Sequence, residues 1–182
     1  MNLFSQTHTK LTAWQNVLLV FGGAILLFAA SQIEIPLKPV PITLQTVAVM
    51  LIGLTYSPRR ALEAHLLWLG AAAAGLPVLS GFASGIPYLV GPTGGYFVGM
   101  TIAACSMAFL KQKLSLNSLK SDALLILMGT ATVFFFGVAW LAQFIGFEGA
   151  ITHGFMPFII PGFVKAGVLC AALQALRHAR AV

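Results

Sequence analysis

From Ala123 to Phe147 the chain reads ALLILMGTATVFFFGVAWLAQFIGF, without one charged side chain. Coiled as an α-helix, a run of this length would extend about 37 Å, more than the ~30 Å of hydrocarbon in a bilayer. Similar stretches lie on both sides of it: Ala13–Ser31, Thr43–Tyr56, Ala61–Leu79 and Gly94–Leu110 before, and Phe155–Leu176 after. The composition agrees. Of 182 residues, 59% are apolar and 8% charged, with a mean hydropathy of +0.94. A soluble domain carries roughly a quarter charged residues, so a water-soluble globule is excluded, as are a disordered chain and a disulfide scaffold. The expectation is an all-α, polytopic membrane protein: a single six-helix membrane domain over 13–177, with short tails at 1–12 and 178–182.

The connections carry the punctuation. Three prolines between Pro36 and Pro41 cannot sit inside a helix, so 34–41 reads as an extended loop. Ser80 to Thr93 is rich in Gly, Pro and Ser and reads as a second loop, and a third is expected around Glu148 and His153. Thr43–Tyr56 is short for a span. On a six-span model Lys10, Arg59, Arg60, Lys111, Lys113, Lys120, Arg177 and Arg180 fall on one face, while the other has only Lys38, with Lys165 inside the sixth segment. The positive-inside rule then places both termini in the cytoplasm, with the chain in the cytoplasmic (inner) membrane. The net charge of +6 thus reads as orientation rather than nucleic-acid binding. Cys105 and Cys170, both in apolar segments, are expected to be packed, reduced thiols.

Chemistry-bearing residues are sparse. The one aspartate, Asp122, lies in a connection; His8, His65, His153 and His178 are scattered without metal-ligand spacing, and His65 reads as a polar residue near the membrane surface. No Ser-His-Asp set can be assembled without drawing from opposite faces, so neither an enzyme, a resident metal nor a cofactor is expected, and without a phosphate-binding loop the chain cannot itself couple ATP hydrolysis by that route. Gly91, Gly95, Gly99 and Ala103 make a small-residue stripe suited to close helix packing. Gly91-Pro92-Thr93-Gly94-Gly95-Tyr96 straddles a loop and a helix start, where free N–H groups of Gly94 and Gly95 can face a ligand and Tyr96 offers a flat ring with a polar tip, or else anchors at the interface. Lys165 is costly in an apolar segment unless it snorkels, lines a polar cavity or meets an anion. Thr43 and Gln45 are placed to hydrogen-bond in the same cavity, and Trp68, Tyr88 and Trp140 are candidate stacking surfaces.

Three blocks carry a resemblance: Pro39 to Thr46 (PVPITLQT), Gly91 to Tyr96 (GPTGGY), and Met156-Pro157-Phe158 through Pro161-Gly162 to Lys165. In order and spacing they resemble the BioY family, the biotin-binding S components of energy-coupling factor transporters, over residues 13 to 177. The third block departs from the family pattern, which has an Asp directly after Pro-Gly and a Lys three residues beyond it. Here Phe163 follows Gly162 and the lysine comes one residue early. The resemblance implies an S-component-like fold, biotin as transported ligand, and a substrate site drawn from Thr43, Gln45, Trp68, Tyr88, Gly94, Gly95, Tyr96 and Lys165. It also implies a T component and ATPase subunits as partners in the lipid bilayer, or solitary or oligomeric operation. An A-x-x-x-A docking patch on the first helix is absent: Gly22, Gly23, Ala24, Ala29 and Ala30 are small but not so spaced. The rival readings are an S component for another vitamin, a small membrane enzyme, or a channel, whose polar stripe the segments lack.

Overall fold

The structure, a computed structural model, describes residues 12–179. Six long helices form its body: α1 (Ala13–Gln32), α2 (Gln45–Thr55), α3 (Pro58–Ala73), α5 (Gly94–Lys113), α6 (Leu119–Gly154) and α7 (Ile159–His178). A one-turn α4 (Ile86–Leu89) lies in the loop before α5, and two short strands, β1 (Glu34–Ile35) and β2 (Ile42–Thr43), pair antiparallel between α1 and α2. Lys10 and Arg180, counted in the charge asymmetry, lie outside the described residues, as does most of each expected tail.

Local sequence explains where the helices start. Thr12 and Gln15 form a reciprocal capping box on α1, and Ser118 and Ser121 do the same on α6. Ser57 caps α3, whose first residue is Pro58, a position where the missing N–H costs nothing. Pro161 falls in the first turn of α7 after a 3₁₀ turn at Met156–Phe158, so the two prolines of the sixth segment are absorbed at its start. The 34–43 segment is extended, as its prolines require. Its β ladder satisfies backbone groups next to α2, which spans only about 16 Å by itself.

Two differences from the sequence reading concern the second half. The loop expected around Glu148 and His153 is helical. Gly146 (φ 74°, ψ 165°) breaks α6 there, and the chain then re-enters helix to Gly154. A glycine takes this left-handed backbone without a Cβ penalty, so the apolar run ends without a loop. Asp122, expected in the connection between the fourth and fifth segments, is instead in the first turn of α6, fully buried, where it bonds Lys111 (2.7 Å) and Arg177 (2.5 Å). His65, expected near the surface, is also fully buried, its Nδ1 2.8 Å from the Ala61 carbonyl. It sits where α3 packs between α1 and α5, so the turn below supplies its partner.

α5 and α6 make the closest seam. A Cβ on Gly99 would stand 2.9 Å from Val133 Cα, and one on Gly95 would collide with Trp140 and the Phe136 carbonyl. The small-residue stripe therefore packs helix against helix. Outside this core, Trp14, Phe21, Ile25, Phe135, Ile160 and Phe163 are exposed. Such a surface is untenable in water and natural against lipid. Residues 13–32, 94–113 and 119–175 are long and apolar enough to cross a membrane, the last being divided between α6 and α7. Cys105 and Cys170 are free thiols, each half-buried.

Candidate functional site

The start of α5 and the start of α7 lie at the end of the bundle opposite Asp122, because both helices run toward Lys111 and Arg177. At that end the hairpin, the 74–93 loop and the helix starts enclose a cleft of about 480 Å³, its open mouth included. Val40, Pro41, Thr43, Gln45 and Thr46 form one wall. Ser80, Tyr88 and Thr93 come from the loop, Tyr96, Phe97 and Met100 from α5, and Val133 and Phe134 from α6. Phe158 and Lys165 close the remaining side. Thr46, Phe134, Phe158 and Lys165 also border a second space of about 410 Å³ between α2, α6 and α7.

The walls are mainly aromatic and apolar. Tyr96 stacks on Phe158 (centroids 6.4 Å, 25°), and Phe134 meets both edge-on at 6.4 and 5.7 Å. Phe97 packs between Trp68 (5.5 Å) and Tyr88 (6.3 Å). Few polar groups face this surface. Lys165 Nζ donates to the Thr43 carbonyl at 2.5 Å and lies 3.5 Å from Thr46 Oγ1. Lys165 is thus seated in the cleft rather than snorkelling outward. The Thr43 hydroxyl donates to Gln45 Oε1 (3.2 Å) and accepts the Gln45 backbone N–H (3.3 Å). Gln45 Nε2, buried with its residue only 2% exposed, has no hydrogen-bond partner among the described residues. An amide donor in that state is costly until something in the cleft accepts from it. At the mouth, the Ser80 hydroxyl donates to the Glu34 carboxylate. Burial pushes the Tyr88 phenol above its usual range; Glu34 pushes it further, against a hydrogen bond with Thr93.

The structure brings Thr43, Gln45, Tyr88, Tyr96 and Lys165 together around the cleft. Trp68, Gly94 and Gly95 do not line it. Trp68 is buried behind Phe97 and donates to the Val78 carbonyl (2.9 Å), which holds the loop that carries Ser80. Gly94 and Gly95 are packed under Trp140, so what they supply is the absence of a side chain. The Gly94 N–H is spent on the Gly91 carbonyl (2.9 Å) and that of Tyr96 on the Thr93 carbonyl (3.0 Å). Trp140, a candidate stacking surface, instead donates to the Gly91 carbonyl (2.9 Å). Tyr96 is not an interfacial anchor: it is 4% exposed, and its hydroxyl donates to the Gly154 carbonyl (2.8 Å). Its ring faces the cleft while its polar tip ties α5 to the end of α6.

Sequence reasoning missed Ser80, Met100, Val133 and Phe134 as wall residues. Ser80 read only as part of a loop, and apolar residues in spanning segments, Phe97 among them, carry no mark that separates a cavity wall from a lipid face. Thr46, Thr93 and Phe158 lie inside the three blocks that carried the resemblance, and that was their signal. Among the described residues, no three His, Cys, Asp or Glu side chains gather as metal ligands do.

Residues 5–182 match the model of the BioY family. A protein of Rickettsia prowazekii named "Probable biotin transporter BioY" is 39% identical over 165 residues, covering 91% of this chain and 84% of that relative. One of Pyrococcus horikoshii with the same name is 37% identical over 147 residues, covering 81% of this chain and 86% of the relative. Among solved structures, the S-component for biotin from an ECF-type ABC transporter superposes with a TM-score of 0.79 at 26% identity, over 92% of this chain and 95% of that one.

Proposed function

This chain belongs to the BioY family, and on that premise we propose that it binds biotin and serves as the substrate-binding membrane subunit of biotin uptake. The observation that supports this best is the pairing, in one aromatic cleft, of a seated cation, Lys165, with an orphan amide donor, Gln45 Nε2. Biotin offers an apolar bicyclic ring to the aromatic walls, a ureido carbonyl to a donor, and a carboxylate to a cation. A mostly apolar cleft with few convergent polar groups suits such a ligand. The chain works as a carrier subunit, not as an enzyme. Its energy comes from a T component and ATPase subunits. The charge asymmetry supports a cytoplasmic-membrane location with both termini inside and the cleft facing outward.

Equilibrium binding of labelled biotin to the purified protein tests the reading. Saturable binding, competed by unlabelled biotin and not by other vitamins, is the expected result. Preference for a different vitamin in the same panel would overturn the choice of ligand while leaving the carrier role.

A further inference from the structure

The cleft holds several donors, and its side-chain acceptors can be accounted for one at a time. Lys165 only donates. Thr46 Oγ1 lies beside the Lys165 ammonium, and the Thr43 carbonyl already accepts from it. The Thr43 hydroxyl and Gln45 Oε1 are engaged with each other. Tyr88 and Thr93 lie on the same wall, and the Thr93 side chain acts on the Tyr88 phenol. Ser80 differs. Its one hydroxyl proton is committed to the Glu34 carboxylate, so its oxygen faces the cleft with lone pairs only. A hydroxyl that donates to a carboxylate is also a stronger acceptor, because the charge-assisted bond polarises it.

The surroundings hold this oxygen in place. Ser80 is 7% exposed. On its N-terminal side the Val78 carbonyl accepts from Trp68 Nε1 (2.9 Å) and Ser31 Oγ (3.1 Å), and the Leu79 carbonyl accepts from Gln32 Nε2 (2.9 Å). On its C-terminal side the Phe82 N–H donates to Gln32 Oε1 (3.2 Å). Gly81 turns in the left-handed region (φ 63°), close enough that a Cβ there would stand 3.3 Å from Glu34 Oε1. Glu34 itself sits on β1 opposite Thr43. The other carboxylates lie elsewhere: Glu63 pairs with Arg59, Asp122 bonds Lys111 and Arg177, and Glu148 is beyond the Gly146 break.

We infer that Ser80 is the acceptor for a ureido N–H of the bound ligand, with Glu34 as the positioning residue that fixes and polarises it. The inference rests on biotin being the ligand. It places one ring N–H, which Lys165 and Gln45 Nε2 as donors cannot serve, at the mouth of the cleft.

The test uses the full-length protein, biotin, and 2-iminobiotin, whose ring carries a cationic guanidinium in place of the ureido group. Ser80→Ala should weaken biotin on the order of tenfold, the scale of a buried hydrogen bond lost. Glu34→Gln keeps the shape but removes the charge. It should weaken iminobiotin several-fold more than biotin, because the nearby carboxylate favours the cation. A role for Glu34 in folding alone would shift both ligands by one factor, and that equal shift would overturn the inference. Unchanged biotin affinity in a folded Ser80→Ala protein would overturn it as well. Should Ser80→Ala fail to fold, the ligand ratio in Glu34→Gln decides alone. A parent protein that binds neither ligand would instead bring down the proposed function, and this inference with it.

Discussion

Lys165 sits one residue earlier than its counterpart in the family pattern, yet it reaches the cleft and rests on the Thr43 carbonyl. Its substitution separates two roles. Lys165→Met keeps the apolar stem and removes the charge, so the protein should fold and bind biotin clearly more weakly. Replacing the biotin carboxylate by an amide locates the contact. If the lysine meets the carboxylate, the parent loses affinity for the amide and the variant scarcely distinguishes the two. Undiminished binding by the variant would remove Lys165 from the site. Tyr96 calls for a pair of changes. Tyr96→Phe loses only the bond to Gly154, about 1 kcal/mol, and should lower the melting temperature with little effect on binding. Tyr96→Ala also removes a ring that stacks on Phe158 and should cost on the order of 1–3 kcal/mol in binding.

At the scale of elements, the seam of α5 against α6 depends on atoms that are missing. Gly99→Ala places a methyl against the Val133 backbone, which cannot swing aside. Expression and thermal stability should fall before affinity does, by about 1–3 kcal/mol, the usual range for overpacking. Normal stability in Gly99→Ala would mean that α5 and α6 separate more readily than this packing allows. This stripe was legible in the sequence, because a four-residue period of small side chains has one obvious physical use. The helix after Gly146 was not, since hydropathy marks where an apolar run ends and says nothing of whether the backbone continues to coil. The buried state of His65 was equally hidden. A histidine in the first turns of a segment reads as interfacial until the packing of α1 and α5 around it is known. For the site, the polar residues Thr43, Gln45 and Lys165 stood out against an apolar background, whereas Val133 and Phe134 did not stand out from it.

For the whole molecule, the proposed orientation rests on the charge asymmetry, and one buried cluster ties the far end together. With the proposed topology, cysteines placed at Asn117 and near the C-terminus should label from the cytoplasmic side, and one at Ser84 from outside. Labelling of position 117 from outside would end the six-span reading. Asp122 bonds cations from the end of α5 and the end of α7. Asp122→Asn leaves those two cations facing each other across a neutral amide and should destabilise the protein by about 3 kcal/mol. A binding cleft at the opposite end should then keep its affinity in whatever protein folds, a contrast that parallel melting and biotin titrations would show.

The seat of Lys165 is a main-chain oxygen, and that has a consequence for how such proteins diverge. Every amino acid at position 43 presents a carbonyl, so drift there leaves the ammonium its resting place as long as the strand keeps its course. The contact can be lost from the lysine's side alone. Relatives with unlike residues opposite this cation can therefore hold it in the same way, and comparing side chains would overlook the bond they share.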